Sequence, residues 1–122
     1  MNTIRFSTHL RGAFCAAICL LIPGISASVS DEQYKSVEAL GRLNGVALQC
    51  RYLGETQRMK QALIETLPKR RELGMAFDQI TNDAFLEFFE RDGICPDASD
   101  FEESVDQAIQ KLKHAFPGMD SE

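Results

Sequence analysis

Two cysteines constrain what this chain can fold into more than any other residues. Four are present, Cys15, Cys19, Cys50 and Cys95, but the first pair lies in an N-terminal segment laid out for export. Arg5 and Arg11 precede an apolar run from Ala13 to Ile22, Pro23-Gly24 interrupts it, and Ile25-Ser26-Ala27 closes it with small residues. That order of charged, apolar and small-residue regions marks a cleavable secretory signal peptide. The ten residues of the run fall well short of the about 20 that anchor a helix in a bilayer. The expected cut follows Ala27, with Ser28 as the fallback. Phe14 and Ile18 stand where acylation of Cys15 or Cys19 would require a small residue, so no membrane anchor is expected after cleavage. Residues 1–27 are thus assigned to the signal peptide and 28–122 to one domain, located in the periplasm or fully secreted.

Cleavage leaves Cys50 and Cys95, and two cysteines permit one pairing. An oxidising compartment favours the disulfide. Closing that loop would remove denatured-state entropy worth about 4 kcal/mol in the chain-entropy model. A redox or zinc pair would need a second cysteine at two-residue spacing, and neither cysteine has one. Losing Arg5 and Arg11 also leaves 11 Lys and Arg against 18 acids, which moves the net charge from −5 to −7. Nucleic-acid binding, which depends on a clustered basic surface, is not expected.

The domain reads as helix throughout. Ser30 and Gln33 have capping-box spacing, with Asp31 and Glu32 in the first turn. Tyr34, Val37, Leu40, Ala47, Leu48 and Cys50 then recur at helical spacing up to Leu53, where Gly54 is the expected stop. Glu55 to Leu67 repeats the pattern with Met59, Leu63 and Leu67. Pro68 either kinks the chain or opens the next helix. A third helix is expected from about Lys69 to Arg91, on a stripe of Leu73, Phe77, Ile80, Ala84 and Phe88 widened by Phe85 and Phe89. Ser99 and Glu102 make a second capping box, followed by the stripe Phe101, Val105, Ala108, Ile109, Leu112 and Phe116. Pro117-Gly118 ends that helix, and residues 117–122 form a frayed tail. No segment alternates like a strand. The fold class is all-α, a bundle of about four helices in which one disulfide pins the end of the first helix to the entry of the last.

Three features bear on function. Helical spacing assigns most of Phe77, Phe85, Phe88 and Phe89 to the core, yet three phenylalanines within five residues cannot share one narrow core. At least one belongs to a partner surface or groove. Gly41 and Gly45 share one face of the first helix, where the missing side chains invite another helix close and Asn44 can hydrogen-bond across. Lys69-Arg70-Arg71 is the basic run, either a solvated face partly paired with Glu65 and Glu72 or a contact for an anionic partner. Catalysis finds no footing: His114 is the one histidine left, on the surface near its helix end, and no nucleophile–base arrangement can be argued. Glu-x-x-His and Cys-x-x-Cys-His motifs are absent, so neither a metal nor a cofactor is expected and the chain is not expected to be an enzyme.

The two cysteines, Tyr52 and Leu53 just after Cys50, and the terminal helix with Phe101, Val105, Ile109 and Leu112 resemble the HdeA-type acid-stress chaperones of the bacterial periplasm. The likeness spans about a third of the domain and is one of architecture. Gln49 stands where that family has an aromatic residue, and the helices between Glu55 and Arg91 are more regular than the family's middle region. The resemblance implies a dimer that loosens at low pH and exposes apolar surface to unfolded clients. The expected function is a protein-interaction module that binds another protein or itself near Phe85–Phe89. The alternatives are an acid-activated holdase, whose 18 carboxylates would neutralise as pH falls, and a small-ligand carrier holding haem between His114 and Met59 or Met75.

Overall fold

Ser30 starts the first helix as its spacing predicts. Its hydroxyl accepts from the Gln33 backbone N–H at 3.1 Å, and the Gln33 side chain accepts from the Ser30 N–H at 3.0 Å. The Gln33 amide also donates to the Ala115 carbonyl at 3.1 Å, so one side chain caps this helix and the far end of the last. A computed structural model describes residues 28–118; the assignment of residues 1–27 and the tail beyond Gly118 lie outside the described residues. Four helices follow in order: α1 (Asp31–Gln49), α2 (Leu53–Thr66), α3 (Arg71–Glu90) and α4 (Ala98–Ala115). No strand occurs among the described residues, and none of their helices is long and apolar enough to cross a membrane.

Several helix ends differ from expectation. α1 stops at Gln49, and Gly54 lies inside the first turn of α2. The stop is a Schellman turn: the Tyr52 N–H donates to the Ala47 carbonyl (2.8 Å) and the Arg51 N–H to Leu48 (3.4 Å), with Arg51 at φ +59°. The left-handed position that usually takes glycine is held here by arginine. α3 ends the same way, with Gly93 donating to Phe88, Asp92 to Phe89, and Asp92 at φ +50°. The second capping box does not form. Asp97 caps α4 instead, accepting from the Ser99 N–H at 2.9 Å and its hydroxyl at 2.6 Å. Pro68 makes a corner: Leu67 before it is extended (ψ 138°), as proline demands of its neighbour, and α3 begins at Arg71 rather than Lys69. Tyr34 and Leu53, expected on the apolar stripe, are exposed.

The core gathers around α1, where Val37, Leu40 and Ala47 are wholly buried with Met59 of α2 and Val105 and Leu112 of α4. The Cys50–Cys95 disulfide joins the cap of α1 to the approach to α4, closing a 45-residue separation with the Cα atoms 5.6 Å apart. Beside it, the Tyr52 hydroxyl donates to the Pro96 carbonyl at 2.5 Å, and its ring lies 5.2 Å from Phe101.

α3 packs differently. Among the helices its backbone approaches α1 alone, and no Cα pair between α3 and either α2 or α4 comes within 8 Å. Leu73 and Phe77 reach the core, and the rest of the contact is a seam of small residues. A Cβ on Gly45 would sit 2.7 Å from Ala84 Cβ, the Phe85 nitrogen and the Thr81 carbonyl oxygen; on Gly41 it would sit 2.9 Å from Ile80 Cγ2. Asn44 between them donates to the Thr81 hydroxyl at 3.2 Å, and Gln49 donates to the Phe85 carbonyl at 3.1 Å.

The seam predicts an order of stabilities. Gly45→Ala drives a methyl into backbone and should cost about 1–3 kcal/mol, the range of overpacking. Gly41→Ala should cost less, because its contacts are wider, Ile80 Cγ2 at 2.9 Å, Ile80 Cβ at 3.0 Å and the Phe77 carbonyl oxygen at 3.2 Å. Gly54→Ala, which meets nothing within 4 Å, should gain roughly 0.5–1 kcal/mol from helix propensity. Urea unfolding of the three variants checks the order, and a Gly45→Ala protein as stable as Gly54→Ala would contradict the seam.

Candidate functional site on the outer face of α3

A helix that packs along one side has an opposite side to account for. On α3 the inward residues are Leu73, Phe77, Thr81 and Ala84. The outward residues recur at alternating steps of four and three: Arg71, Met75, Asp78, Asn82, Phe85 and Phe89, all exposed. Leu86 lies alongside, three residues before Phe89, which places the two on neighbouring positions of one face. Phe89 is 71% exposed, Met75 60% and Leu86 55%. Of the four phenylalanines assigned mostly to the core, Phe77 alone is buried there, which corrects that assignment; Phe89 leaves the core, and Phe85 is 36% exposed. Phe88 takes the other direction: it is half-buried, its ring against Gly93, where a Cβ would meet it at 2.6 Å.

The structure thus brings together Phe85 and Phe89 of the candidate surface, adds Leu86, and separates Phe88 from them; Met75 is on the same side of α3, about 15 Å along the helix from Phe85. Leu86 was hidden by its position outside the inward stripe, although its spacing from Phe89 marks it. Lys69, Arg70 and Arg71 lie at the opposite end of α3, about 30 Å away for a helix of twenty residues. Lys69 and Arg71 are exposed, and Arg70 pairs with Glu72 at 3.7 Å. The acidic residues collect at the other end, where Asp83, Glu87, Glu90 and Asp92 are all exposed and Glu87 pairs with Arg91 at 3.8 Å.

Elsewhere the polar surface is structural. Arg58 of α2 reaches Glu55 at 2.8 Å, Glu102 at 4.0 Å and Asp106, clamping α2 to α4. Its hydrogen bond to Asp106 raises the guanidinium pKa, so it stays charged. His114 is exposed in the last turn of α4, beside a groove shared with Lys35 and Lys111. Met59 is wholly buried, whereas Met75 is exposed on a helix whose backbone stays more than 8 Å from that of α4, so neither shares an enclosed site with His114. Among the described residues, no three His, Cys, Asp or Glu gather as a metal site would require.

No protein-family model matches the chain, and neither a curated protein nor a solved structure matches it.

The Asp97 cap carries a pH signature. The Ser99 hydroxyl, and then the Ser99 and Asp100 N–H groups, hydrogen-bond its carboxylate and hold its pKa below the usual range. A depressed folded pKa contributes stability above the unfolded pKa and loses it as pH falls through the folded value. Asp97→Ala should therefore lower the unfolding midpoint at neutral pH and lose most of its effect in acid below that value. An equal effect at both pH values would contradict the cap.

Proposed function

We propose that this chain is an exported, non-catalytic helical module that binds a protein, another chain or its own copy, through the outer face of α3. The carrying observation is the exposed apolar group of Phe85, Leu86 and Phe89 on a helix held to its bundle by one side. Contiguous exposed apolar surface rimmed by charge marks interaction sites, and aromatic residues dominate the energetics of such contacts. The disulfide supports export, because such bonds persist in oxidising compartments. Phe89→Asp tests the reading in the host: replacing so exposed a side chain should change stability by no more than about 0.5 kcal/mol, while cross-linking to any protein partner is lost. Identical cross-linking by wild type and variant would sink it.

A second reading, the acid-activated holdase, draws on charge. Protonating 18 carboxylates would leave a strongly cationic chain that repels itself and would remove all three partners of Arg58, the clamp between α2 and α4. The resemblance to HdeA-type chaperones implies the same behaviour. It predicts suppression of client aggregation at about pH 2–3, below the ordinary carboxylate pKa values. Aggregation that proceeds unchanged there contradicts it.

A further inference from the structure

We infer that the outer face of α3 pairs with the same face of a second copy, the two helices running antiparallel about a two-fold axis beside residue 80. The inference rests on the reading of that face as an interaction surface and names its occupant. The steps of four and three from Arg71 through Met75, Asp78, Asn82 and Phe85 to Phe89 are those of a two-helix seam, in which alternate positions form layers with the facing helix. All six side chains reach solvent, Phe85 the least at 36%.

The chemistry of the layers selects the direction. In an antiparallel pair centred beside residue 80, Arg71 faces Phe89, Met75 faces Phe85 and Asp78 faces Asn82, and the two-fold axis repeats each layer. Every layer is complementary. A guanidinium lies over an aromatic face, a thioether meets a ring, and a carboxylate accepts from an amide. Polar layers of that kind fix register. A parallel pair would instead stack Arg71 on Arg71 and Asp78 on Asp78.

The helix ends are compatible with that direction. Lys69, Arg70 and Arg71 outnumber Glu72 at the start of α3, and Glu87, Glu90 and Asp92 outnumber Arg91 at its finish, an excess that opposes the helix macrodipole. A second antiparallel copy brings carboxylates to the N-terminus of each helix and cations to the C-terminus. One helix of this length makes a contact at the small end of specific interfaces, so the pair is reversible.

Sedimentation equilibrium of the purified, disulfide-bonded protein over a roughly hundredfold concentration range should show a monomer–dimer equilibrium. Phe89→Arg, which sets arginine against Arg71, should raise the dissociation constant at least about tenfold. Adding Arg71→Phe restores the same layer with its partners exchanged and should recover the dimer, whereas a parallel pair would not recover. A photo-crosslinker at position 85 should map to the residues around Met75 of the second copy. Mapping to position 85 itself would overturn the antiparallel pairing. A monomer at every concentration whose position-85 crosslinker captures a different protein overturns self-pairing and leaves the interaction face standing. A monomer that captures nothing overturns both.

Discussion

The Cys50–Cys95 bond is the constraint on which the rest of this structure depends. It is placed at the two points where the backbone must turn: Cys50 caps α1, and Cys95 stands two residues before the Asp97 cap of α4. Everything between them, α2, the Pro68 corner and α3, hangs as one closed loop. Two contacts of Tyr52 share the task locally, its hydroxyl on the Pro96 carbonyl and its ring on Phe101. With α1 and α4 fixed at this end and joined by Gln33 at the other, α2 closes the core around Val37, Leu40, Met59, Val105 and Leu112, to which α3 adds Leu73 and Phe77. A domain this small has little apolar area to spare, and a covalent link compensates by limiting the denatured ensemble.

α3 follows from that arrangement. Its two ends are set by the Pro68 corner and by the Gly93–Pro96 stretch that runs to the disulfide, while its backbone meets only α1. Gly41 and Gly45 let it come close enough for Thr81 and Ala84 to pack on backbone, so the contact is tight and confined to one side of α3. The far side of the helix is left uncovered. That side carries Phe85, Leu86 and Phe89 among its charged and polar residues. The link from sequence to proposed function runs through this geometry: small residues on α1 determine which side of α3 faces in, and therefore which aromatic residues face out.

Much of this was legible beforehand because it depends on local rules. The Ser30 box, the Gly41–Gly45 approach with Asn44 bonding across, the pairing of two cysteines and the amphipathic α4 each follow from spacing within one or two turns or from a count. The helix ends that differ share a cause. A left-handed helix stop is expected at glycine, yet Arg51 and Asp92 hold that conformation, because the two backbone hydrogen bonds of each turn outweigh the steric cost. Asp97 displaced Ser99 as the cap because its carboxylate takes the Ser99 and Asp100 N–H groups, so the helix begins one residue before Ser99. The outer stripe of α3 was illegible for a different reason. Phe85, Phe88 and Phe89 can be split between inside and outside in more than one way, and only the position of α1 decides it.

Denaturant unfolding of the protein with its disulfide intact, against the same protein reduced, tests the central claim most directly. A link that closes the 45-residue separation should make the oxidised form more stable by about 4 kcal/mol. Coincident unfolding curves would contradict the account.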